Sequence, residues 1–271
     1  MRKFIILSLI ASILNSCTKV EYQLEQQSIS KLENRVSCLG LPFNEFNVGE
    51  MHNEYVILLY NDIHVEMTPK IIEEKLKLNY LNLSAGLYAN DLQKNWVDSL
   101  TFSLIEELSS KSFDFTQANG IVFDSIRNTE IFPYFIEVIS AIEGMTSLSD
   151  LNESLDLILV AAANNNVDCV GYDALLGSIQ ITKSSAILWS PLEQGGLGFY
   201  EEIFGAQNEK AIPEWLKRTV KADASSSMTY MLGVGIAGAI SSAAIPPTGA
   251  IFLGGWALST GLGSAVGAAG I

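Results

Sequence analysis

The chain has 271 residues, with 16 Lys+Arg against 30 Asp+Glu and a formal charge of −14. That length suffices for one or two domains with a real core. The charge excludes nucleic acid as a partner class, because neutralising phosphates requires a basic surface; solubility is the plainer meaning of the acidity.

The N-terminus "MRKFIILSLIASILNSC" reads as a secretion signal. Arg2 and Lys3 form a basic start, and Phe4 to Leu14 is an apolar stretch too short for a comfortable membrane span. The "LNSC" that follows, Leu14 to Cys17, resembles the lipobox of bacterial lipoproteins. That resemblance implies cleavage before Cys17, lipidation of Cys17, and a place in the bacterial cell envelope. Thr18 after the Cys implies the outer membrane. Cleavage would remove Arg2 and Lys3, taking −14 to −16. An ordinary signal peptide with a chance Cys is the rival reading. Residues 1–17 are thus expected to be the signal with its lipidated Cys, and the polar residues 18–45 a tether.

Two other cysteines, Cys38 and Cys169, are candidates for a disulfide outside the cytoplasm. It would close a loop of 131 residues (169 − 38), worth about 5 kcal/mol at most on chain-entropy arithmetic. Two separate buried thiols are the alternative.

The pattern predicts a mainly α domain over 46–223. Thr68-Pro69 marks a helix start, with "IIEEKLKLNYL" behind it carrying Ile71, Ile72, Leu76 and, less regularly, Leu78 and Leu81. Trp96, Leu100, Leu104 and Leu108 fall four apart on one helical face. In "SLSDLNESLDLILVAAANNN" Ser149 or Asp150 would cap a helix, with Glu153 as box partner, and Asn164 to Asn166 would stop it. "LLGSIQITKSSAILW", Leu175 to Trp189, reads as a central helix or a helix plus a strand-like piece, broken by Pro191 and "QGGLG". "AIPEWLKRTVKAD" opens a further helix with Pro213 in its first turn. "YVILLY" at Tyr55–Tyr60 is the one strand candidate, without hairpin turns to support it.

After Asp223 no Asp, Glu, Lys, Arg or His occurs, which leaves 48 uncharged positions, 224–271. Pro246-Pro247 and Gly249 divide them into 228–245 and 250–271. As helices these would be about 27 and 33 Å long, against a hydrocarbon core of about 30 Å. The reading is a C-terminal apolar Gly/Ala-rich helical hairpin. Small residues recur every fourth position: Gly235, Ala239 and Ala243 in the first half, Gly255, Ser259, Gly263 and Gly267 in the second. Such ridges let helix backbones approach closely, and the segment resembles the glycine zippers of membrane-associated bacterial proteins. A transmembrane or membrane-contacting hairpin is expected, with burial in the helical domain as its rival. Lys217, Arg218 and Lys221 would place the preceding flank in the cytoplasm, in conflict with the export signal.

Chemistry-bearing motifs are few. His52 and Glu54 ("HNE") with His64 and Glu66 ("HVE") are weak metal-ligand candidates, because HxE is not a zinc-site spacing. Surface or capping histidines are the plainer reading. "GVGIAG" at Gly233–Gly238 matches G-x-G-x-x-G only within the apolar tail, where packing explains it. The pairs Glu73-Glu74, Glu106-Glu107 and Glu201-Glu202 suit solvated helix faces. No cofactor is implied.

"VGEMHNEYV" at Val48–Val56, "SSAILW" at Ser184–Trp189 and "KAD" at Lys221–Asp223 resemble a group of bacterial lipoproteins with a G-x-x-H-N motif and a Gly/Ala-rich C-terminal segment. The resemblance implies that His52 and Asn53 matter to the fold or to a site, and no activity. Three functional expectations follow. The first is an envelope lipoprotein with a structural, interaction or membrane-perturbing role, in contact with a membrane or a protein partner. The second is a metal-dependent enzyme using the His52/His64 region. The third is an immunity or scaffold binding module with a buried hairpin.

Overall fold

The computed structural model describes residues 47–64, 66–87, 94–95, 97–99, 101–102, 127–205, 211–240 and 249–270, with side chains left undescribed at 233–240 and 249–254. These residues belong to one compact unit, 37–271. The fold is mainly α, with no strand among the described residues. Signal, lipobox, tether, Cys38 and the Trp96–Leu108 series lie outside the described residues.

Among the described residues eight α-helices carry the architecture: α1 (Val48–Leu59), α2 (Pro69–Ser84), α3 (Phe132–Gly144), α4 (Leu148–Asn164), α5 (Cys169–Trp189), α6 (Phe199–Phe204), α7 (Glu214–Ile240) and α8 (Gly249–Ala268). Their starts follow capping chemistry. Asn47 accepts from the amides of Gly49 and Glu50 at 3.1 and 3.3 Å. Pro69 opens α2 behind Thr68, as expected, although the threonine hydroxyl makes no cap bond. Ser147, rather than Ser149 or Asp150, caps α4 by accepting from the Asp150 amide at 3.1 Å. Asp168 does the same for α5 at Gly171, 2.9 Å. The strand alternative for Tyr55–Tyr60 does not hold: 55–59 are the last turns of α1 and Tyr60 is its C-cap.

The surrounding helices are amphipathic. α1 buries Val48, His52, Val56 and Leu59; α2 buries Ile72, Leu76, Tyr80 and Ser84 and leaves Ile71, Leu78 and Leu81 exposed. α5 is buried almost all round, as a central helix must be, and runs unbroken through the stretch that allowed a strand-like piece. It packs chiefly on α7 and α1, while α3 and α4 lie beside it and against each other.

α7 runs continuously from Glu214 to Ile240. The boundary expected at 223/224 therefore falls inside a helix, and the uncharged tail is not a separate unit. Its first helix begins at Glu214, not Met228. A change in charge does not interrupt a helix when backbone bonding and packing continue. α8 fits the second expected segment closely and packs on α7, α1 and α2. Residues 255–266 of α8 are buried throughout.

Among the described residues no helix is long and apolar enough to cross a membrane. This corrects the expectation of a transmembrane helix. Gly, Ser, Thr and Ala dilute the hydropathy, and the same small side chains pack against neighbouring helices instead. Gly255, Ser259 and Gly263 are buried and Gly267 is half-buried, where an added Cβ would lie 3.6 Å from Ala222 Cβ of α7. Gly261, outside that series, makes the close approach to α1: an added Cβ would lie 3.2 Å from Val56 Cγ2. A helix enclosed on several sides needs small residues on more than one of them. Gly235 and Ala239 fall in α7 where side chains are not described, and Ala243 lies outside the described residues.

Leu262 is fully buried. Leu262→Ala should therefore lower stability by about 2–5 kcal/mol, the range for emptying a packed core site. Chemical denaturation of the purified protein checks this; a loss under about 1 kcal/mol would mean that this face is not packed as found.

Candidate functional site

Three separate stretches converge on one buried polar constellation. α1 supplies Gly49, His52 and Asn53, α5 supplies Ser184, Ser185 and Trp189, and α7 supplies Asp223. Positions 49, 52 and 53 are i, i+3 and i+4 on a helix, hence one face. That spacing has a physical reason here. A Cβ at Gly49 would lie 2.1 Å from Ser184 Oγ and 2.5 Å from the Gln180 carbonyl oxygen. Only glycine lets α1 approach α5 this closely, and the approach carries the next turn, with His52 and Asn53, into contact.

The hydrogen bonds then fix orientation. Asn53 Nδ2 donates to the Ser184 carbonyl at 2.9 Å, so its Oδ1 is the atom 3.0 Å from His52 Nδ1. A carbonyl cannot donate, which rules out the flipped amide and makes Nδ1 the protonated donor. His52 Nε2 lies 3.5 Å from Asp223 Oδ1. The other carboxylate oxygen, Oδ2, accepts a short hydrogen bond from Ser185 Oγ. His52, Ser185 and Asp223 are all 0% exposed.

A second layer ties α8 to the same helices. Trp189 Nε1 donates to Ser264 Oγ at 2.7 Å, and Tyr60 OH donates to the Ala265 carbonyl at 2.5 Å. Burial, with a smaller contribution from Tyr200, pushes the Tyr60 phenol well above the ordinary tyrosine range, so it remains a donor. Tyr60, Trp189 and Phe199 meet edge to face or tilted at 5.3–5.8 Å. Deeper in, Trp256 Nε1 donates to the Ser227 carbonyl at 3.1 Å, and Ser178 and Ser227 share a hydrogen bond of 2.9 Å.

The order of groups decides what chemistry is open to them. In a nucleophilic triad the histidine takes the serine proton and the carboxylate sits behind the histidine. Here Ser185 donates to Asp223, and Asp223 stands between Ser185 and His52. With no exposed atom among the three, a substrate has no approach. The arrangement cross-braces three helices at one buried junction.

The four metal-ligand candidates do not assemble. His52 is buried and faces Asp223, whereas Glu54, two residues on, is exposed, as are His64 and Glu66. Among the described residues no group of three or more His, Cys, Asp or Glu is placed to hold a metal. Cys169, the first residue of α5, is disulfide-bonded. Cys17 and Cys38, the other two cysteines, lie outside the described residues.

Asp223 is the residue that candidate-site reasoning passed over. Its signal was present: it is the last charge before 48 uncharged positions, and a carboxylate at the edge of an apolar helix must find a partner. Which partner, 171 positions earlier (223 − 52), no local pattern shows. No protein-family model, curated protein or solved structure matches this chain.

Proposed function

We propose that this is a lipid-anchored protein of the bacterial cell envelope, held through Cys17, whose helical domain acts by binding a protein partner rather than by catalysis. The observation that carries the non-catalytic half is the complete burial of His52, Ser185 and Asp223. Export is supported by the signal-like N-terminus with its lipobox and by the disulfide at Cys169, which suits an oxidising compartment. An acidic surface with exposed leucines, among them Leu192 and Leu197 on the turn between α5 and α6, suits interaction. That turn is fixed by two left-handed glycines, Gly195 at φ 84° and Gly198 at φ 69°.

Crosslinking in intact cells tests the interaction half. A defined adduct with one envelope protein, lost when Leu192 and Leu197 are both changed to Ser, supports the reading. Recovery of the uncrosslinked chain alone at every crosslinker length overturns it. The anchor is tested separately. Cys17→Ala should release the protein from membranes on carbonate washing, and retention in the pellet would mean that Cys17 is not what holds it.

A membrane-perturbing role is a second reading, favoured by the uncharged helix α8 lying in the core. It requires α8 to leave that core. Dye release from anionic vesicles by the purified full chain distinguishes the two readings.

A further inference from the structure

We propose that His52 and Asp223 form a one-proton latch that keeps α1 closed over α8. The inference rests on a proton inventory and depends on neither functional reading above. Asn53 fixes a hydrogen on His52 Nδ1, and Nε2 then faces Asp223 Oδ1 across 3.5 Å. Asp223 Oδ2 is occupied by the Ser185 hydroxyl. At that distance the two atoms make no aligned hydrogen bond and face each other as charges; one proton between them, on nitrogen or oxygen, leaves the pair neutral overall.

No other count works. With a second proton, a net positive charge sits at 0% exposure. With no proton, a lone pair faces a carboxylate and a net negative charge is buried. Buried charge without a partner is strongly disfavoured.

The charged side chains of the described helices around the pair are engaged elsewhere or exposed, or lie turns away. On α1, Glu50 is bonded to the Asn47 side chain and, like Glu54, is exposed. On α5, Lys183 pairs with Asp156 at the surface, and the buried Asp173 lies 12 positions before Ser185, about three turns away. On α7, Lys217 pairs with Glu214, Lys221 pairs with Glu143, and Arg218 is exposed. The phenols on these helices are Tyr55 on α1, Tyr172 on α5 and Tyr230 on α7. α8 carries no titratable residue. α2, packed on α1 and α8, directs Lys77 to Glu73 and Lys75 to the Asp62 carbonyl. Among the described residues, His52 is the only ion-pair partner of Asp223.

The latch acts on α1 because α1 is the cover. It has 12 residues against 27 in α7. Its His52 carbonyl oxygen and Val56 lie 3.2–3.6 Å from a Cβ built at Gly261 of α8. Acidification adds the second proton, detaches α1 from Asp223 and bares an uncharged helix.

Hydrogen exchange of the full-length protein between about pH 4 and pH 8, corrected for intrinsic rates, tests this. Peptides covering 48–59 and 249–268 should lose protection together on acidification, by at least about tenfold, while 132–164 stays protected. The double variant His52→Gln/Asp223→Asn should show no such pH dependence. Protection that is flat with pH, or lost simultaneously in 132–164, overturns the latch, as does an unchanged transition in the double variant. Should that variant not fold, NMR amide shifts of the wild-type protein decide. Those of 48–59 should move together with those of 249–268 over the same pH range; α1 shifts that move without those of α8 overturn the proposal.

Discussion

Trp256→Ala should cost about 3–5 kcal/mol, the range for removing a large buried aromatic. Trp256 is 0% exposed and sits where α5, α7 and α8 meet. Its indole donates to the Ser227 carbonyl, and its ring lies over Gly177, where an added Cβ would stand 2.0 Å from Cη2. The ring occupies the space that a side chain at 177 would need. The substitution therefore leaves a void lined by three helices, none of which can close in without breaking other contacts. Gly177→Leu should also be strongly destabilising, by overpacking. Combining the two gives a sharper result: Leu at 177 enters the emptied space, so the double variant should be more stable than Gly177→Leu alone. Equilibrium urea unfolding of the four proteins measures this. Simple additivity of the two losses would mean that the indole and Gly177 do not share that space.

His52→Ala should cost a similar amount, about 3–5 kcal/mol, for a different reason. Little apolar area is lost. The loss comes from Asp223, left with Ser185 as its one donor and with no exposure to water. Asp223→Ala in the same background removes the stranded carboxylate. The double variant should thus cost less than the sum of the two singles, by at least about 1 kcal/mol of coupling. A coupling indistinguishable from zero would show that the two side chains do not interact. Changing Asn53 to Leu should lower that coupling, because the carboxamide is what orients the imidazole.

Local signals in the sequence were legible where their physics is local. Thr68-Pro69 marks the start of α2, and Asn164 to Asn166 mark the end of α4, because capping and backbone preference are decided within a few residues. The same locality explains the misses. α1 looked partly strand-like because its buried stripe contains His52, so the apolar period was broken at the position that matters most. Asp223 looked like a border because charge stops there, yet the helix around it continues for 17 more residues (240 − 223). The uncharged tail suggested lipid, since length and absence of charge do not tell a bilayer from the centre of a helical domain. Its small residues fit both settings. Gly49, His52 and Asn53 stood out as a motif before any packing was known, and α5 supplies the explanation: one glycine for proximity, two polar groups for the junction.

The central position of α8 has a consequence for how the chain folds. α8 is enclosed by α7 and by the distant α1 and α2. Tyr60 reaches Ala265 across 205 positions, and Trp189 reaches Ser264 across 75. Contacts of such separation carry a large loop-closure cost before they contribute, so folding is expected to be slow for a helical protein of this size. Until α8 is in place, the faces of α1, α2 and α7 that it covers stay open to water, so its docking is the step that completes the core.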